Sequence, residues 1–173
     1  GVMEEIRWVD QKGWLINRVS ISGDRRFPAA ALHRADLQSI LLHALPASSI
    51  HLGHSLVNYS THADKVVAEF ANGHSIEADF LIGADGIHSR VRAEFLNDGE
   101  PVYRGYIVWR GISPTSPNSI PPATAIEIHG RGKRFGIGPV GLGRVGWWAS
   151  ANADTNDTKP ELLQLFKGWY PPA

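Results

Sequence analysis

One segment limits the fold more than any other: Asp79-Phe-Leu-Ile-Gly-Ala-Asp-Gly-Ile-His-Ser-Arg-Val-Arg92. Phe80 to Ala84 read as a short, buried strand that Asp85-Gly86 breaks. Ile87 to Leu96 then read as a helix with Val91 and Phe95 on one face. A strand, a small-residue turn and a helix start leave unpaired backbone N–H groups at one point, where the helix N-terminus adds a partial positive charge. Such a point favours an anion. Asp85 is unexpected if the ligand is only phosphate. A carboxylate there suits a sugar hydroxyl, or a water held between the two phosphates of a dinucleotide. The residues alone leave open an ordinary strand-to-helix turn with Ser89 and Arg92 solvated.

The rest of the chain alternates element types at first. Val2 to Ile6 suggest a helix. Trp14 to Ser22 read as a strand and Gly23-Asp24 as a turn. His33 to Leu45 give the clearest helix, because Leu37, Ile40, Leu41, Ala44 and Leu45 follow the spacing of one buried stripe, and Pro46 stops it. Ile50 to Ser60 and Lys65 to Ala71 read as strands. Asn72-Gly73 is a strong hairpin turn, with His74 to Glu77 as the returning strand. After Gly99 the pattern becomes mostly sheet: Val102 to Ile112, Ala123 to His129, Arg134 to Val140 and Arg144 to Ala151. Ser113 to Pro122 is a loop rich in Pro and Ser. Thr158-Lys-Pro-Glu161 is a capping box that opens a helix through Leu162, Leu163, Leu165 and Phe166. The fold class is α/β, an α+β mixture that ends in antiparallel sheet.

Bulk properties exclude several functions. The 173 residues suffice for a modest domain with a core. Lys+Arg and Asp+Glu both number 17, so no basic surface suggests nucleic acid. The absence of cysteine removes disulfides, thiolate catalysis and cysteine-ligated zinc, and is compatible with a cytoplasmic protein. No apolar run has the length of a membrane span, and no signal-peptide pattern opens the chain.

Asp85, Gly86, Ser89 and Arg92, placed after an apolar strand, resemble the second fingerprint of the FAD-dependent aromatic hydroxylases, the single-component flavoprotein monooxygenases. In that family this turn contacts the FAD pyrophosphate region and is linked to NAD(P)H use. Arg34, Leu37 and Leu41 are similar to the family's Arg-x-x-Leu pattern at a helix start, in the right order along the chain. The resemblance implies that Arg34 reaches the FAD phosphates or ribityl chain, a contact its planar donor pair suits. It also implies that the strand around Leu56 and Val57 offers backbone contacts to the adenine end, while a core strand remains the alternative for those side chains. Residues 1–99 would then be a partial FAD-binding domain, and 100–173 a substrate-binding sheet with the start of the next helix.

Other motifs carry less. Gly136-Ile-Gly-Pro-Val-Gly141 matches G-x-G-x-x-G, but Pro139 interrupts it and strand follows, so it reads as a hairpin rather than a dinucleotide loop. His51 and His54 are three apart on an expected strand and would face opposite ways, which argues against a metal pair. Tyr103 to Gly111 resembles the family's first long substrate-domain strand. Alternation puts Tyr103, Ile107 and Trp109 on one face, and Arg104, Tyr106 and Arg110 on the other. Trp109, Arg110 and His129 are pocket candidates, with sheet packing as the alternative.

The resemblance, closest to the salicylate hydroxylase-like branch, implies a definite reaction. NAD(P)H reduces FAD, reduced flavin and O2 give a flavin hydroperoxide, and this hydroxylates or epoxidises a small organic, usually aromatic, substrate. The cofactor carries the hard chemistry, so no acid–base side chain announces itself. Two family pieces are absent from these residues: the opening Gly-rich strand-to-helix segment, and the later Gly-Asp fingerprint. The expectation is therefore an internal fragment of a longer protein. A flavin-dependent reductase or oxidase of the same fold, or a remnant module without FAD, are the alternatives.

Overall fold

The structure, a computed structural model, describes residues 1–21, 29–154 and 161–171. The expected turn at Gly23-Asp24 and residues 158–160 of the expected capping box lie outside the described residues. The chain divides into two compact units: Gly1–Leu42 with Tyr103–Ala173, and His43–Val102.

The first unit is built on a six-stranded sheet. In chain order its strands are β1 (Glu5–Asp10), β2 (Leu15–Ser20), β6 (Tyr106–Ser113), β7 (Thr124–Gly130), β8 (Lys133–Gly141) and β9 (Arg144–Asn152). Their spatial order is β2-β1-β7-β8-β9-β6. The β1–β7 pair is parallel and every other pair is antiparallel. Local chemistry sets the turns. Between β1 and β2 the Asp10 carboxylate accepts the N–H groups of Lys12 and Trp14, each at 2.9 Å. Gly13 closes that turn at φ +89° with the Tyr170 ring where a Cβ would stand, so only glycine fits.

The expected helix at Val2 to Ile6 is a correction. Val2 forms an isolated bridge to Ala30, and β1 starts at Glu5. A helical reading of so short a stretch loses because β1 gains ladder partners on both sides. The Gly-rich run Gly136–Gly141 is part of β8 and enters the β8–β9 hairpin, as its flanking strands implied.

One face of this sheet carries the core. Val9, Ile126, Ile128, Ile137 and Val145 cluster there with Ile120, and Phe135, Trp147, Trp169 and Tyr170 pack against them. Phe135 stacks on Trp147 with ring centres 6.3 Å apart. The short helix α3 (Leu162–Leu165) delivers Phe166 and Trp169, and Lys133 Nζ donates to its terminal Leu165 carbonyl at 2.9 Å.

Helix α1 (Arg34–His43) lacks the buried stripe its spacing suggested. Leu37, Ile40, Leu41 and Leu45 are all exposed, Ile40 by 60%. Periodicity reports which face is apolar; burial also needs an opposing element, and no described residue covers this one.

The second unit holds a three-stranded antiparallel sheet, β3 (Leu56–His62), β4 (Lys65–Phe70) and β5 (Ser75–Ala78), plus helix α2 (Arg90–Leu96). Asn72-Gly73 makes the β4–β5 turn: Gly73 sits at φ +82°, and Asn72 Oδ1 accepts the His74 N–H at 3.1 Å. Two expectations change here. Ile50 to Ser55 are not strand, and β3 begins only at Leu56. Phe80 to Ala84 form neither a strand nor a buried segment; Phe80 is 73% and Ile82 77% exposed. An extended apolar segment becomes a strand only beside a partner, and no described strand pairs with it.

Candidate functional site

The face of the six-stranded sheet opposite the core forms a cavity of about 840 Å³ within the first unit. Register explains its shape. Trp8, Glu127, Gly136, Trp148 and Arg110 stand in one row across five strands. Side chains alternate between faces, so this row projects away from the core. Beside it, Ala125, Gly138 and Gly146 supply almost no side chain, which gives the cavity its depth. Ile6, Ile112 and Leu32 make the walls apolar.

Polar groups are few and grouped. Glu127, whose side chain is 17% exposed, accepts the Trp148 indole N–H on Oε2 at 3.0 Å. Its Oε1 lies 2.7 Å from His129 Nε2 and 3.7 Å from Arg134 Nη1. The His129 contact is a close approach off the line of a good hydrogen bond. Arg34 and Arg110 also line the cavity, and neither has an ion-pair or hydrogen-bond partner among the described residues. Arg34 is the first residue of α1. That first turn is tied to the β8–β9 hairpin by an ion pair between Asp36 and Arg144.

The Asp79–Arg92 segment belongs to the second unit. Gly83 has no room for a side chain, because a Cβ there would lie 2.6 Å from Val91 Cβ. Helix α2 therefore packs directly against the extended stretch. Ser89 is its N-cap, and Ser89 Oγ accepts the Arg92 N–H at 3.0 Å. The Asp85 carboxylate accepts Ser89 Oγ–H at 2.5 Å and the Arg90 N–H at 2.7 Å. The donors of the helix start are thus already engaged within the chain. The N–H groups of Gly86, Ile87 and His88, one step earlier, have no partner among the described residues. Gly86 sits at φ +86° with nothing within 4 Å of the position a Cβ would take, so a ligand can approach its backbone closely. Arg92 is not simply solvated: it donates to the Ile87 carbonyl at 2.7 Å and pairs with Asp98 at 3.1 Å.

The hydroxyl of Ser89, followed by the Arg90 and Val91 backbone donors, holds the Asp85 carboxyl below its ordinary value of 3.8. A lowered folded-state value stabilises the fold above the ordinary value, and this stabilisation is lost as pH falls through the lowered one. Ser89→Ala removes a buried cap and is expected to cost about 0.5–2 kcal/mol. It should also weaken the acid dependence below pH 4, read by circular dichroism during acid titration.

The sequence candidates divide between the units. Arg34 and Arg110 share the cavity of the first. His129 lies on the same face, one pair along β7 from Glu127, and contacts that carboxylate. Trp109 projects from the opposite face, in register with the fully buried Ala149. Leu56, Asp85 and Gly86 are in the second unit. Leu56 opens β3, an edge strand with one side of its backbone outside the ladder. His51 and His54 occupy a turn rather than a strand, and their rings meet at 5.7 Å, with His74 at 5.4 Å from His54. Among the described residues no group of His, Cys, Asp or Glu is arranged to hold a metal ion.

Sequence reasoning missed Glu127, Trp148 and Gly136 as one unit. The available signal was a lone acid inside the apolar run Ala123 to Ile128. Its partners could be named only once register was known.

Residues 27–158, more than half of the chain, match the family model described as FAD binding domain, and the chain belongs to that family. Aurachin C monooxygenase/isomerase of Stigmatella aurantiaca is 36% identical over 150 residues, 84% of this chain and 39% of that protein. The 3-amino-4-hydroxybenzoate 2-monooxygenase of Streptomyces cremeus is 38% identical over 149 residues, covering 83% and 38%. The structure of Klebsiella pneumoniae HpxO complexed with FAD and uric acid superposes with a TM-score of 0.84 at 26% identity, covering 99% of this chain and 47% of HpxO. The chain thus spans about two fifths of these curated relatives' length and about half of HpxO. Among the described residues, no helix is long and apolar enough to cross a membrane.

Proposed function

We propose that the protein carrying this chain is an FAD-dependent, NAD(P)H-using monooxygenase that transfers one oxygen atom of O2 to a small organic, aromatic substrate. The observation that carries the reading is the cavity on the six-stranded sheet, lined by three indoles and by two arginines that have no partner among the described residues, in a chain of the FAD-binding family. Bound FAD would supply the redox and O2 chemistry, with NAD(P)H as the reductant.

Each unit, taken by itself, carries groups that fit part of such a cofactor. In the first unit, the Arg34 guanidinium, which has no partner among the described residues, can pair with a phosphate or with ribityl hydroxyls. In the second, the unpartnered N–H groups after Asp85, the open backbone at Gly86 and the edge of β3 at Leu56 suit a dinucleotide's oxygens and adenine. Asp85 orders this turn through Ser89 and Arg90. The substrate's part falls to the cavity: Arg110 orients an electron-rich or anionic group, and Trp148 gives the ring a flat surface. The apolar walls from Ile6, Ile112 and Leu32 give a bound ring an apolar surface to lie against. His129 acts through Glu127, and Trp109 belongs to the packing of the sheet. The cysteine-free composition is compatible with a cytoplasmic setting.

The test uses the whole protein. It should purify with bound flavin, and it should oxidise NAD(P)H faster when a small aromatic acid is added, with a hydroxylated product by mass spectrometry. Fast NAD(P)H oxidation with no oxygenated product would favour a reductase or oxidase. A colourless protein that ignores added FAD would favour a remnant module.

A further inference from the structure

We propose that Glu127 is the positioning residue of this cavity: it locks the Trp148 indole across Gly136 and so fixes the wall against which a flat substrate ring lies. The proposal rests on the monooxygenase reading for the identity of the ligand, but its geometry stands apart from it.

Three features make the lock. Trp148 on β9 pairs with Gly136 on β8, which pairs with Glu127 on β7. With strands about 4.8 Å apart, the indole must cross the whole width of β8 to reach Glu127. Gly136 permits this, because a Cβ there would lie 2.0 Å from Trp148 Cε2 and 2.1 Å from Cζ2. At the far side the indole N–H meets Glu127 Oε2 at 3.0 Å. Glu127 is itself held, since its other oxygen faces His129 and Arg134. A partly buried indole N–H needs an acceptor, and a partly buried carboxylate needs donors. Each therefore fixes the other. Both line the cavity, next to Arg110 in the same row. A ring that lies along the indole with a polar group on Arg110 is thus held at two points whose separation the sheet sets.

The experiment uses the whole protein loaded with FAD and labelled with 15N-indole tryptophan. The Trp148 N–H resonance is identified by its loss in Trp148→Phe. Glu127→Ala should speed solvent exchange of that proton by about tenfold or more, whereas Glu127→Gln, which keeps an acceptor oxygen, should recover most of the protection. Binding is read with two probes, 3-amino-4-hydroxybenzoate and uric acid, on wild type and variants whose thermal unfolding shows them folded. Dissociation constants should rise about tenfold in Glu127→Ala and in Trp148→Phe, and the double variant should be no worse than either single one. Gly136→Ala, which displaces the indole by a different route, should give the same loss of affinity. Unchanged exchange in Glu127→Ala, or additive losses in the double variant, would overturn the proposal. If wild type binds neither probe at millimolar concentration, the substrate reading falls and the wall loses its ligand. The exchange data would still decide whether the lock exists.

Discussion

Replacing Ile128 by alanine is expected to cost about 2–5 kcal/mol of stability. Ile128 is 0% exposed, at the centre of β7 and of the core face. It pairs in register with Val9 of β1 and Phe135 of β8. Those strands are hydrogen-bonded on both sides and cannot close in to fill the lost volume. The cost therefore includes the cavity as well as the lost transfer energy. Urea unfolding should show a lower midpoint with an unchanged slope. Ile16→Ala on the edge strand β2 is the control. That side chain is exposed, and its loss should stay within about 0.5 kcal/mol. Equal effects at both positions would mean that the sheet's core lies elsewhere.

Arg34→Ala is expected to weaken flavin retention about 10- to 100-fold. A hydrogen bond to a charged group contributes about 1.5–3 kcal/mol, and each 1.4 kcal/mol is a factor of ten in affinity. Arg34 suits the role because its guanidinium has no competing partner among the described residues, and because the Asp36–Arg144 pair holds the first turn of α1 beside the cavity. Arg34→Lys should recover only part of the loss, since an ammonium lacks the planar fork that grips two oxygens at once. Equilibrium dialysis against FAD, using the whole protein, reads this directly. Retention unchanged in Arg34→Ala would remove this residue from the cofactor site.

How far the sequence revealed the molecule depends on the range of the interaction. Hairpin turns were legible because their chemistry is local: Asn72-Gly73 encodes its own positive φ and its own side-chain hydrogen bond. The β8–β9 hairpin was legible for the same reason, despite a glycine pattern that imitates a nucleotide loop. The start of α1 is a local feature and was legible, whereas Arg34 stands out only through its resemblance to the family's Arg-x-x-Leu pattern. Burial was less legible. The stripe of α1 and the apolar run Phe80 to Ala84 predict burial, but what covers a face is not written in the face itself. The strand at Glu5 is not legible locally because its partners, β2 and β7, include one more than a hundred residues away. The Glu127–Gly136–Trp148 lock lies at the limit of this problem. None of the three residues stands out alone, and only the register of three strands brings them together. Trp109 and Arg110 show how alternation helps and where it stops. It separated the two residues onto opposite faces, but only the position of the core decided which face opens into the cavity.

We propose that this chain is the substrate-holding and flavin-holding part of an oxygen-inserting enzyme. The most direct measurement supplies the whole protein with FAD, NAD(P)H, a small aromatic acid and 18O2, and follows the product by mass spectrometry. The account predicts bound flavin and a product that carries one 18O atom per molecule, with the second oxygen atom released as water. A product without 18O, or NAD(P)H consumption that ends only in hydrogen peroxide, would contradict it.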